Sequence, residues 1–94
     1  FSDMVCDDAG LAHHLLRSPR GDQLDIWQDE EFKYAFIFTP TNFHNNADPT
    51  LRKAIAIEPQ TGPANAFNSK EDLIWLEPDQ VFEASWGVNF TPAK

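Results

Sequence analysis

The chain has 94 residues, 41% of them hydrophobic and 13% aromatic, including eight Phe and three Trp. That supports one packed domain and is too apolar for a disordered segment. Fifteen acidic against seven basic side chains give a formal net charge of -8. Such a surface repels phosphate backbones and anionic lipid, so neither nucleic acid nor a membrane is an expected partner.

The N-terminal stretch FSDMVCDDAG has neither the basic-then-apolar pattern of a signal peptide nor an initiator Met. A chain opening at Phe1 is therefore expected to be a piece of something longer. No run of about 18 apolar residues is present to span a bilayer. Cys6 is the only cysteine, so no internal disulfide and no thiolate metal site can form, and a cytoplasmic setting is expected. HHLLR and QLDIWQ flank SPRGD, whose Pro and Gly suit a hairpin turn. QDEEF reads as a solvated turn. KYAFIFT then alternates Tyr34, Phe36 and Phe38 on one face with Ala35, Ile37 and Thr39 on the other.

KAIAIE puts Ile55 and Ile57 toward a core and Ala54, Ala56 and Glu58 on the opposite side. DLIWL is the next candidate strand, followed by EPDQ, a turn with Pro78 in second position. VFEASWGVNF lines up Phe82, Ala84, Trp86, Val88 and Phe90 on one face, with Glu83, Ser85 and Asn89 on the other. The NFT at Asn89 matches a glycosylation acceptor and is read as a chance match to a loose pattern. ADPTLRKA is the nearest approach to a helix and is too short to stand alone. About six strands and no helix give an all-β expectation, an antiparallel β-sandwich. No repeat or boundary divides residues 1–94. Six strands suffice for a small sandwich, or for one slice of a larger one whose other strands cover its faces and edges.

Two long polar loops, residues 40–50 and 59–72, flank the strand that carries Glu58. Ordered loops of this length are usually functional. Pro59 biases Glu58 toward extended backbone and is expected to fix it at the strand's end. The neighbouring alanines leave room above a carboxylate mounted on a regular element. Spacing alone leaves two readings open, a solvated strand face and a reactive group.

Taken in order, FKYAFIFT, IAIEPQTGPANAFNS, DLIWLEPDQ and ASWGVNF resemble the C-terminal portion of the aldose 1-epimerase (galactose mutarotase) family, from about Gly21 to Phe90. The segment around EPQ is the most specific part. The family commonly has glycine where EPDQ has Asp79, and either residue suits a turn. The resemblance implies a large β-supersandwich that interconverts the α and β anomers of a hexose. A glutamate takes the proton from the anomeric hydroxyl, a histidine protonates the ring oxygen, and the opened chain recloses on the other face. Glu58 matches that glutamate. With a reference pKa of about 4.3, a carboxylate is ionised and ready to accept a proton at neutral pH.

The family's histidines lie upstream and match none of His13, His14 or His44, so this chain alone is expected to be inactive. Gln60, Phe67, Asn68 and His44 are the candidate substrate-binding residues. The amides can both donate to and accept from sugar hydroxyls, and His44 lies in the loop before the Glu58 strand. Trp27, Trp75 and Trp86 follow strand alternation and are expected to pack structurally. Three scattered histidines have no ligand spacing, so no metal is expected, and no cofactor. The expected partners are a hexose and either the upstream part of the same polypeptide or another copy joined through exposed strand edges. The rival readings are an epimerase for a hexose 6-phosphate, which needs Arg or Lys around the phosphate, and a non-catalytic carbohydrate-binding sandwich.

Overall fold

The first hairpin forms where SPRGD places it. Gly21 N donates to Ser18 O (3.0 Å) and Ser18 N to Asp22 O (2.9 Å), closing a three-residue loop. Gly21 takes the positive φ of 104° that such a loop requires at its last position and that glycine adopts without steric cost. The strands so joined are β1 (Ala12–Arg17) and β2 (Gln23–Gln28). A computed structural model describes residues 1–44, 47–50 and 53–94. Along the described residues the fold is all-β: five strands in two antiparallel sheets, with a single turn of helix.

Sheet one has the order β1-β2-β5, where β5 spans Trp86–Thr91. β5 pairs with β2 from Gln23↔Thr91 to Gln28↔Trp86. Two aspartates at the ends of β2 hold it there. Asp22 Oδ1 accepts the Ala93 amide (2.8 Å), and Asp29 Oδ2 accepts the Ser85 amide (2.6 Å). Between them, the Trp27 indole lies against Gly87, where an added Cβ would come within 2.6 Å of Cε2 and 2.8 Å of Nε1. Sheet two is the hairpin of β3 (Tyr34–Phe38) and β4 (Ala56–Gln60).

Gln28 joins the two sheets. Its side chain is fully buried, and Nε2 donates to the carbonyls of Phe32 (2.8 Å) and Tyr34 (3.1 Å), where β3 begins. Its Oε1 lies 2.7 Å from His14 Nε2 on β1. An amide oxygen can only accept, so the imidazole proton resides on that nitrogen.

Among the described residues Ala12, Ile26 and Ala35 are the buried hydrophobic ones, while Leu16, Phe38, Trp86, Val88 and Phe90 lie exposed. The radius of gyration is 16.2 Å, against about 12 Å for a compact domain of this length. The sheets are formed, but the apolar side of the first is open. Trp86, expected in a core, is accordingly 58% exposed.

Three expectations change. DLIWL forms no strand, and Ile74, Trp75 and Leu76 are exposed. Alternation supplies a strand's pattern, whereas a ladder also needs a neighbouring edge, and this segment has none among the described residues. VFEASWGVNF enters its ladder only at Trp86, because β2 offers six residues to pair with and Asp29 takes up Ser85 beyond them. The helical turn lies at Ala66–Ser69, inside the second long loop. ADPTLRKA is partly outside the described residues.

Candidate functional site

Glu58 sits mid-strand, and the reason is a hydrogen-bonding pattern. The Phe1 ammonium donates to Ala35 O, and Ala35 N donates to Phe1 O, both at 3.0 Å. The backbone groups of Ala35 thus point away from β4, so its partner Pro59 occupies a non-hydrogen-bonded position. A missing N–H costs the β3–β4 ladder nothing there. The strand runs on through the proline to Gln60 instead of ending at Glu58.

The register then decides what surrounds the carboxylate. Tyr34 pairs with Gln60, Phe36 with Glu58 and Phe38 with Ala56. Residues paired across an antiparallel ladder share a face, so Glu58 stands opposite Phe36 with Tyr34 and Phe38 on the diagonals. Phe36 is 45% and Phe38 55% exposed, and Glu58 is exposed. The Glu58 carboxylate makes no hydrogen bond or ion pair among the described residues. A free carboxylate beside an aromatic row suits a pyranose, whose C–H face packs on a ring while a hydroxyl reaches the anion.

Beyond Gln60 the chain turns into the second long loop. A cleft of about 600 Å³ there is lined by Gln60, Phe67, Asn68 and Asp72, with Phe32 and the Thr61–Ala66 stretch. Three of the expected substrate-binding residues, Gln60, Phe67 and Asn68, are thereby brought together. Asn65 and Lys70, both with positive φ (66° and 62°), bracket the one-turn α1 (Ala66–Ser69), and the Lys70 amide closes it on Ala66 O. Asn68 Nδ2 donates to Asn65 Oδ1 at 2.6 Å, and Phe67 is 88% exposed at the rim. A second cleft of about 240 Å³ shares Gln60, Pro63 and Ala64 with the first and adds Phe1, Tyr34 and Phe36. Gln60 stands between the two clefts, two residues along the same face from Glu58. Glu58 itself lines neither of them.

The loop is fastened to β3 by Tyr34, whose hydroxyl donates to Asp72 Oδ2. Accepted by a carboxylate, the phenol keeps its proton more firmly, and its pKa is pushed up to about 12, with burial adding to the effect. The Lys33 ammonium reaches the other Asp72 oxygen at 3.9 Å. His44 lies elsewhere. It is exposed in the 39–55 connection, which leaves the hairpin at its Phe38/Ala56 end, whereas the clefts lie at the Tyr34/Gln60 end. At about 3.3 Å per residue those ends are roughly 13 Å apart.

No protein-family model, curated protein or solved structure matches this chain. The site is therefore read from its own geometry and from the motif around Glu58. Sequence reasoning misses the aromatic row Tyr34, Phe36 and Phe38. Its alternation is legible, but that it faces Glu58 is a matter of register, which neither strand reveals alone.

Proposed function

We propose that this chain carries the general base of an aldose 1-epimerase-like enzyme, with Glu58 as that base. The observation that carries the reading is the placement of Glu58: exposed, unpaired among the described residues, on a regular strand and opposite Phe36. Together with the IAIEPQTGPANAFNS motif, this favours a reacting group over a structural one. In the proposed reaction Glu58 accepts the proton of the anomeric hydroxyl as a partner acid protonates the ring oxygen. The C1–O5 bond breaks, the aldehyde rotates about C1–C2, and the same proton transfers in reverse close the other anomer. Concerted donation and acceptance avoids a free alkoxide and is worth about 10²–10⁴-fold. The phenyl rings of Phe36 and Phe38 supply a platform for the sugar's apolar face, and Gln60 and Asn68 supply amides for its hydroxyls.

The finer architecture belongs to the same proposal. The open face carrying Leu16, Trp86, Val88 and Phe90 is one layer of an antiparallel sandwich whose other layer, and whose acid histidine, come from outside residues 1–94. A sheet with one apolar face is stable only when that face is covered. Polarimetry of α-D-glucose or α-D-galactose mutarotation tests the reading. Residues 1–94 alone are inactive; the full-length enzyme is active, and Glu58→Gln lowers its rate by about 10²–10⁴-fold while sugar binding survives. An unchanged rate in that variant overturns the assignment, and a full-length protein that binds sugar without turnover points to the binding-module alternative.

A further inference from the structure

The N-terminal residues 1–11 cross from one sheet to the other. At one end Phe1 exchanges both backbone hydrogen bonds with Ala35 of β3. At the other, Cys6 bridges to Ala12, and a turn begins at Asp7, whose N donates to Leu11 O at 2.8 Å. Asp7 Oδ1 accepts the amides of Ala9 and Leu11, each at 2.9 Å, which leaves Oδ2 directed at His13 Nε2, 2.7 Å away on β1. The opposite ring nitrogen, Nδ1, lies 3.0 and 2.9 Å from the two carboxylate oxygens of Asp25 on β2.

We propose that His13 is the pin of a pH-operated clasp that fastens this N-terminal strap across both sheets. Both imidazole nitrogens face carboxylates. A neutral ring has one N–H and can donate to only one of them, whereas the imidazolium donates to both. Deprotonation therefore breaks one of the two bonds, and the strap's bond to Asp7 is the one not supported by a strand ladder. The other charged groups nearby do not replace the proton. Asp8 adjoins Asp7, and the Glu30 side chain lies against Gly10 in the same turn, both adding negative charge. Arg17 shares the face of β1, but its Nε donates to Gln23 Oε1 at 2.9 Å. β5 brings only Gly87, Asn89 and Thr91 to that face.

The electrostatics agree in sign. The hydrogen bond to Asp7 and then that to Asp25 raise His13 above its ordinary 6.5. The Leu11 amide and then His13 lower Asp7 below its ordinary 3.8. A raised histidine contributes fully below 6.5 and loses its contribution as pH rises through its folded value; a depressed aspartate contributes fully above 3.8 and loses it as pH falls through its folded value. The clasp is closed in full between those ordinary values and opens on the alkaline side as His13 deprotonates.

The test is an NMR titration of the His13 ring in the whole chain, with amide-exchange protection followed at Leu11 and Ala35. His13 is expected to titrate higher in the folded chain than in urea, and Asp7→Asn and Asp25→Asn each to lower it. The asparagine at position 7 keeps an oxygen for the Ala9 and Leu11 amides, so the turn survives. Protection at Leu11, and at Ala35 where the strap's far end docks, falls as pH rises through the His13 midpoint. In His13→Gln it stays flat over the same range. The clasp is refuted if His13 titrates as it does in the unfolded chain, if Asp7→Asn leaves it unmoved, or if wild-type protection is as flat as in His13→Gln.

Discussion

Replacing Gln28 by Met tests what holds the two sheets together. The substitution keeps the unbranched shape and leaves no cavity, but it strands the Phe32 carbonyl and the His14 Nε2–H and takes from the Tyr34 carbonyl one of its two donors, the other being the Gln60 amide in the ladder. A buried polar group that loses its partner costs about 1–3 kcal/mol. All three bonds are only partly shielded from solvent, so the lower end of that range applies to the two stranded groups, and with a net bond of about 1 kcal/mol lost at Tyr34 the sum is about 3 kcal/mol. Burying the apolar Met side chain recovers about 1.5 kcal/mol. The expected net loss is about 1–2 kcal/mol, a sizeable share of the 5–15 kcal/mol typical of a domain. Urea unfolding followed by tryptophan fluorescence reads it as a lower midpoint at unchanged slope. In the native protein the Gln28 side-chain amide protons should exchange slowly. A loss below about 0.5 kcal/mol, the scale of an ordinary surface substitution, together with fast exchange of those protons, refutes the view that Gln28 bridges the sheets.

Two further outcomes follow from close contacts. Gly87→Ala drives a methyl into the Trp27 ring and is expected to cost about 1–3 kcal/mol. Most of that cost disappears in a Trp27→Ala background, and a double-mutant cycle by urea unfolding measures the coupling. The chain has a single tyrosine, so an ultraviolet titration reports Tyr34 directly: a midpoint near about 12, falling toward the ordinary 10.0 in Asp72→Asn. An unmoved midpoint in that variant means that Asp72 does not hold the loop to β3.

The parts of the fold legible in sequence are those set by local chemistry. SPRGD specifies its own hairpin because proline and a left-handed glycine leave few alternatives, and KYAFIFT reveals its two faces through strict alternation. What depends on a partner is not legible. DLIWL has the composition of a strand and no edge to join among the described residues. Nothing in QLDIWQ marks Gln28 as interior, yet it is the most buried side chain of its strand because the start of β3 folds over it. Pro59 suggests a strand end, and only the choice of hydrogen-bonded and non-bonded pairs decides otherwise. Glu58, Gln60, Phe67 and Asn68 are legible as candidates from the motif; the phenyl rings beside Glu58 require the register.

Pro59 has one consequence outside the hairpin. Its nitrogen faces the outer border of β4, where a would-be neighbouring chain needs a donor and finds a pyrrolidine ring. Recruitment of extra strands is therefore blocked on that flank and open on the flank of β3, where Phe1 has already laid the first rung. Growth of this small sheet has a direction, set by one imino acid.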